Sequence, residues 1–200
     1  MKLTNAFAAL AATTVLAATP ALAETESPAR YASVSSLNWQ LEGDFAEGSG
    51  IRLVLGQQLS DHLSVELHGA MGGDDSVTLM TTDPTPVAVN GDLGLKQLFG
   101  AYIRASYPFN DSVSVYGTAG YTTVKVEFEG DANFTAGSTP LNRDSFRESE
   151  SGSSYGGGIE FDVLSGVLDG NLRLTADYMV YLDTSGSEFE AKSVGVKLAF

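Results

Sequence analysis

Cysteine is absent from the 200 residues, so no disulfide framework, thiol chemistry or cysteine-ligated metal centre is available. Histidine occurs twice, and 11 lysines and arginines stand against 25 aspartates and glutamates. The resulting formal charge of −14 disfavours nucleic acid and anionic lipid surfaces as partners. No P-loop, dinucleotide fingerprint or nucleophile elbow is present. After residue 23 no apolar run approaches the roughly 20 residues of a membrane helix. If such a chain crosses a membrane, its backbone groups have to pair between strands in a closed β-barrel.

What is present begins with Lys2, an uncharged apolar run from Ala6 to Ala18, and Ala21-Leu22-Ala23 just before Glu24. This order predicts a secretory signal peptide over residues 1–23, with Ala21 and Ala23 as its small-residue cleavage signature. A helical anchor is the alternative, but Thr13 and Thr14 interrupt the run and Pro20 stops it. Cleavage removes Lys2 and no acid, leaving 10 bases, 25 acids and a charge of −15 on residues 24–200. That length is one domain.

Residues 24–200 carry about eight alternating segments separated by turns, the pattern of a transmembrane barrel. In the last, Val194, Val196, Leu198 and Phe200 alternate with Ser193, Gly195, Lys197 and Ala199. The seventh sets Leu172, Leu174, Ala176, Tyr178, Val180 and Leu182 against Arg173, Thr175, Asp177, Met179 and Tyr181. The sixth sets Tyr155, Gly157, Ile159, Phe161 and Val163 against Gly156, Gly158, Glu160 and Asp162; the fourth sets Phe99, Ala101, Ile103, Ala105 and Tyr107 against Tyr102 and Arg104. In the fifth the apolar phase slips after Tyr121 to Val124, Val126 and Phe128, which predicts a bulge or a hairpin rising above the membrane. The second and third centre on Leu53 and Leu67, and the first, about Tyr31 to Leu41, is the least regular.

Short connections fall near Asp61, at Pro108 to Ser112 and near Ser165 to Asn171; longer ones fall at Glu42 to Gly50, Gly72 to Lys96 and Glu129 to Gly152, with a smaller one at Asp183 to Glu188. The expected fold is therefore all-β: an eight-stranded antiparallel transmembrane β-barrel with short periplasmic turns and longer extracellular loops. A soluble β-sandwich would also alternate, but with its polar face outward.

Parity places Arg52, Arg104, Arg173 and Lys197 in the lumen with Glu66, Glu160, Asp162 and Asp177. An eight-stranded barrel is just wide enough for side chains to fill, and buried charges persist only when paired. Glu66 with Arg104 and Asp162 with Arg173 are the expected cross-strand pairs. Two readings stay open: a network that closes the lumen, or charges lining a narrow water-filled passage. Glycines 100, 120, 156, 158 and 195 are expected to make room for Tyr102, Arg104 and Tyr116.

His62-Leu63-Ser64 offers a base and a nucleophile two residues apart, but at the periplasmic rim and with no acid to orient the ring. His68 is expected in the lumen beside Glu66 as a hydrogen-bonded filler. Asp74, Asp75, Asp83 and Asp92 fall in one long loop; Glu129, Asp131, Asp144, Glu148 and Glu150 fall in the next. Hard cations take such oxygens, yet no ordered ligand spacing is present, so the loops read as solvated acidic surface. No metal or cofactor is expected.

The segments Tyr107-Pro108-Phe109-Asn110-Asp111-Ser112-Val113-Ser114-Val115-Tyr116-Gly117-Thr118-Ala119-Gly120-Tyr121 and Leu59-Ser60-Asp61-His62-Leu63-Ser64-Val65 resemble the turn-and-strand motif of the outer-membrane protein A transmembrane-domain superfamily. The resemblance is nearest to its small opacity-like and outer-membrane protein X-like barrels, within the outer-membrane β-barrel porin family. It implies a cell outer-membrane location, and it implies that Val196, Leu198 and Phe200 belong to the strand recognised by the barrel assembly machinery. No peptidoglycan-binding domain follows the barrel, so wall anchoring is not implied. The expected protein is a monomeric, non-enzymatic barrel in contact with outer-membrane lipid and lipopolysaccharide, whose acidic loops serve envelope integrity or adhesion to a surface or host ligand. A narrow porin-like channel is the alternative, and a lipid-modifying enzyme the second.

Overall fold

A computed structural model describes residues 29–41, 46–81, 87–130, 135–136, 139–140, 146–167, 170–184 and 187–200. The expected signal peptide lies outside them. The strands are β1 (Arg30–Leu41), β2 (Ala46–Gln58), β3 (Leu63–Gly72), β4 (Asp74–Thr81), β5 (Val87–Asn110), β6 (Val113–Gly130), β7 (Thr135–Ala136), β8 (Thr139–Pro140), β9 (Phe146–Val167), β10 (Gly170–Thr184) and β11 (Ser187–Ala199). Eight of them, β1, β2, β3, β5, β6, β9, β10 and β11, form the antiparallel wall, which closes where β11 meets β1 and β3 meets β5. At the seam Arg30 and Phe200 exchange backbone hydrogen bonds of 2.9 and 2.8 Å. No sheet edge is therefore left within the wall, which a membrane requires.

Alternation assigns the two faces. Ile51, Leu53 and Leu55 on β2, Ile103 on β5, Val115 on β6, Leu174 on β10, and Val194 and Val196 on β11 are exposed on the outside of the bare chain. Tyr107, Phe109, Phe161 and Phe200 are exposed toward one end of this apolar band, and Phe99, Tyr121, Tyr155 and Tyr178 toward the other. This is the aliphatic belt with aromatic girdles of a membrane barrel, and the reverse of a soluble sandwich.

At the extracellular end the strands run on into the segments expected as long loops. Crossing a bilayer takes about 9–11 strand residues, yet β5, β6 and β9 have 24, 18 and 22. Much of what reads as long loop is thus ladder. β4 pairs with β5 from Asp74↔Gly94 to Thr81↔Val87, and β6 pairs with β9 up to Phe128↔Phe146. β2 starts at Ala46, inside the expected Glu42–Gly50 loop, and β10 and β11 extend to Thr184 and Ser187. Of the two alternatives for the phase slip in β6, the structure has the hairpin rising above the membrane and not a bulge in that strand, whose pairing with β9 runs unbroken from Val113 to Phe128. The nearby bulge sits opposite, at Lys96 in β5. Val124 and Phe128 stay on the inward face; what changes is that this face becomes apolar above the membrane.

A second bulge lies at Tyr181 in β10. Leu182, expected outside with Leu172 to Val180, consequently joins the interior with Leu37, Trp39, Leu93, Leu95, Leu98, Phe128, Met179, Tyr181 and Phe189. The barrel thus holds an apolar core toward its extracellular end, where Trp39 stacks on Phe189 with ring centroids 5.8 Å apart. Only a glycine fits beneath that indole at position 48, where a Cβ would approach Trp39 Cζ2 to 2.5 Å.

Candidate functional site: the lumen charge network

Below the apolar core, six inward strands bring the ionisable groups together. Arg52 on β2 reaches Asp177 on β10 through Nη1 and Nη2 at 3.0 and 2.5 Å, a bidentate pair, and its Nη1 also donates to the Tyr181 hydroxyl at 2.9 Å. Glu66 on β3 lies 3.2 Å from Arg104 Nη1 on β5 and 2.9 Å from His68 Nε2. Arg104 Nη2 turns the other way, 2.6 Å from Glu160 Oε1 on β9. Lys197 Nζ on β11 is 2.6 Å from that same oxygen. At the periplasmic rim Arg173 Nε meets Asp162 at 2.5 Å, while its Nη1 is 3.5 Å from Glu160. All eight residues read from parity face the lumen. Arg52, Glu66, Arg104, Glu160 and Lys197 are buried, whereas Arg173 and Asp162 keep 29% and 38% side-chain exposure at the open rim.

The pairs form one connected system. Arg104 bridges Glu66 to Glu160, and its guanidinium lies 3.6 Å from the centroid of the Tyr116 ring, a cation–π contact. The Tyr116 hydroxyl donates to Asp177 at 2.9 Å, joining the Arg52 pair to the rest. Tyr31 hydrogen-bonds Glu66 at 2.7 Å and Ser64 at 2.9 Å, and Lys197 Nζ stands 4.4 Å over its ring. Four bases and four acids balance, so the carboxylates carry counter-charges on several sides, as burial demands.

Sequence reasoning missed Tyr31 as a member of this network, and it set Tyr181 on the Asp177 face without joining it to Arg52. The signal was available: counting by two down β1 from Trp39 through Leu37, Ser35 and Ser33 places Tyr31 inside. Gly56, opposite Tyr31 in the β1–β2 ladder, leaves the space its phenol ring occupies, since a Cβ there would collide with it. Among the glycines expected to make room, 100 and 120 lie against Tyr102 and 158 against Tyr116, but 156 faces Met179 and 195 faces Ser35.

Packing leaves little free volume. The charged layer lines a small, partly open cavity of about 20 Å³, bounded by Tyr31, Glu66, His68, Arg104, Asp177 and Lys197 among others, room for about one water molecule. Met179 and His68 line it toward the apolar core, where the Tyr102 ring packs on His68 with centroids 4.1 Å apart and its hydroxyl contacts Thr122.

Other candidate chemistry separates. Ser64 is buried against Tyr31, whereas His62 is exposed, 3.2 Å from the Ser106 carbonyl and stacked over Tyr107, so period-two spacing does not bring the two together. His68 points into the lumen with Nε2 on Glu66. Among the described residues no group of three or more His, Cys, Asp or Glu is placed to hold a metal ion. Of the loop acids, Asp74, Asp75, Asp92, Glu129, Glu148 and Glu150 lie on strands β4, β5, β6 and β9; Asp83, Asp131 and Asp144 fall outside the described residues.

Comparison with known proteins agrees with this architecture. The family described as "Outer membrane protein beta-barrel domain" matches residues 8–200. The attachment invasion locus protein Ail of Yersinia pestis superposes with a TM-score of 0.58 at 14% identity, over 88% of this chain and 100% of that one. Neisserial surface protein A gives 0.53 at 13% identity, over 86% and 99%. The N-terminal β-barrel domain of Pseudomonas aeruginosa OprF gives 0.52 at 14%, over 85% and 97%. At such identities the likeness is one of fold. No curated protein matches significantly.

Proposed function

The chain belongs to the outer membrane protein β-barrel domain family, and from that premise we propose that it is a non-enzymatic, non-conducting barrel that displays an acidic sheet at the cell surface. The observation that carries this reading is the filled interior: a balanced charge network around a cavity of about 20 Å³, beneath an apolar core. A porin-like passage would need a continuous polar route, and the route from the periplasmic rim ends at Leu37, Trp39, Leu95, Leu98 and Phe189.

The parts of β4, β5, β6 and β9 beyond the upper girdle are the display element. Their ladders hold Asp74, Asp75, Asp92, Glu129, Glu148 and Glu150 on a paired backbone, a stiffer support than a free loop. Such a surface suits a basic ligand or envelope integrity rather than an anionic partner. Delivery to the outer membrane uses cleavage after Ala23, and assembly uses the outward face of β11, where Val196 and the terminal Phe200 are exposed.

Reconstitution into liposomes loaded with a small dye tests the reading, with heat-modifiable gel migration verifying that the barrel has folded. The expected result is dye retention equal to protein-free liposomes. Leakage that scales with the amount of folded barrel overturns it. A lipid product made by the wild type and lost in His62→Ala would overturn the non-enzymatic part.

A further inference from the structure

On the outer wall of β1, β2 and β11 the ladder spaces two carboxylates at one height. Even-numbered residues of β1 and their partners point away from the lumen. Val34 lies level with Leu53 and Val196, and Ser36 with Ile51 and Val194, so these levels face hydrocarbon. One step higher, Asn38 stands between Ser49 on β2 and Lys192 on β11; one step above that, Gln40 stands between Glu47 and Glu190. Tyr178 of the upper aromatic girdle pairs with Lys192, which sets the Asn38 level at the membrane–water boundary and the Gln40 level in water.

The two polar levels line a depression of about 510 Å³, the volume of a small-molecule site. Lys192 is the one cation in its lining and sits on the membrane side, whereas Glu47 and Glu190 sit on the water side, so the mouth is anionic. Tyr178, 40% exposed, donates its hydroxyl to Glu190 Oε2, which joins an aromatic ring to a carboxylate at one end. The Asn38 and Gln40 carboxamides and the Ser49 hydroxyl add oxygen acceptors. Glu47 and Glu190 lie one strand to either side of Gln40, so their backbones are about 10 Å apart, two strand spacings.

This arrangement selects an extended organic cation. A net-negative lining attracts positive charge and repels phosphate. Two carboxylates so spaced suit two ammonium groups joined by a flexible chain better than one metal ion, which draws several oxygens to a point. Among the described residues no group of three or more His, Cys, Asp or Glu is placed to do that. The phenol ring attracts an ammonium group through its electron-rich face, and the carboxamide oxygens accept its N–H bonds.

We propose that this depression binds an aliphatic polyamine, with one terminal ammonium at Glu190 and the Tyr178 ring, the other at Glu47, and the chain lying across Gln40. The site is on the outside of the wall, apart from the display strands and the charge network, and is independent of whether the lumen conducts.

The test titrates spermidine into the folded full-length barrel in a nonionic detergent, followed by isothermal calorimetry. Wild type should bind it saturably. Glu47→Gln and Glu190→Gln should each weaken binding about fivefold, the effect of an ion pair worth about 1 kcal/mol where water reaches it. Lys192→Met removes the like charge and should tighten binding. Glu148→Gln makes the same change of net charge on β9 and should leave binding unchanged. Folding of each variant is read from gel migration and from Trp39 emission, and if one of the two glutamate variants at the site fails to fold, the other carries the same expectation. Equal affinity in wild type and the folded variants at Glu47 and Glu190, an equal loss in Glu148→Gln, or displacement of spermidine by an equal concentration of magnesium would overturn the proposal.

Discussion

Glu160 is the carboxylate on which most of the network converges, and neutralising it is the sharpest perturbation available. Its Oε1 lies 2.6 Å from both Arg104 Nη2 and Lys197 Nζ, and its Oε2 lies 3.5 Å from Arg173. Glu160→Gln keeps the shape and removes the charge, leaving Arg104 and Lys197 in the buried lumen with Glu66 as the remaining carboxylate partner of Arg104. A unit-charge pair at that distance is worth roughly 6 kcal/mol at an effective dielectric near 20. Desolvation of the charges offsets part of this, so the expected net loss is the about 3–5 kcal/mol found when one partner of a buried pair is removed. That is roughly a hundred- to several-thousand-fold in the folding equilibrium. Urea titration of the barrel in liposomes, followed by Trp39 emission and gel migration, measures it. Glu160→Gln with Lys197→Met removes one stranded cation and should recover about 1–3 kcal/mol. A single mutant within about 0.5 kcal/mol of wild type would refute the reasoning, because it would mean that water already screens these charges.

Leu53→Arg, on the outer face, should destabilise the liposome-embedded barrel by about 2–4 kcal/mol in the same titration, the cost of arginine near the bilayer midplane; a neutral effect would remove Leu53 from the lipid face. Trp39, the single tryptophan and 2% exposed, should resist quenching by aqueous acrylamide in the folded barrel and become accessible on unfolding; full quenching of the folded form would mean that the extracellular end is open. On the surface sheet, the hydrogen bond from Arg147 holds the Glu127 carboxyl below its usual range, so this pair contributes stability above the ordinary carboxylate pKa and loses it as pH falls through the lowered value. Amide exchange in the upper part of β6 should therefore stay slow from neutral pH down to the carboxylate range and quicken below it, whereas quickening already near neutrality would contradict that sign.

Strand faces were legible because membrane barrels impose a strict two-residue period, which places Arg52, Glu66, Arg104, Glu160, Asp162, Arg173, Asp177 and Lys197 inside from spacing alone. The extracellular half was not legible for one physical reason. At the membrane surface the environments exchange, with hydrocarbon outside giving way to water and charged lumen inside giving way to apolar core. Along β6 the inward face keeps its parity through Tyr116, Thr118, Thr122, Val124 and Phe128, but its chemistry inverts, and an inversion of chemistry at constant parity looks like a slip of register. Gly91, Asp92 and Gly94 added turn signals to a stretch that is strand. The bulges at Lys96 and Tyr181 depend on which residue faces which across the ladder, information that no single strand contains. Tyr31 was hidden in the least regular strand, although the glycine opposite it marks the space it fills.

Current through the folded barrel in a planar lipid bilayer bears most directly on the central claim of a sealed interior. Wild-type protein of verified gel mobility should give a silent membrane at either polarity, because the charge network leaves room for about one water and the apolar core above it excludes ions. Discrete, reproducible open-channel steps that shift in size when Glu66 or Arg104 is replaced would place the ion path through that network and contradict the account.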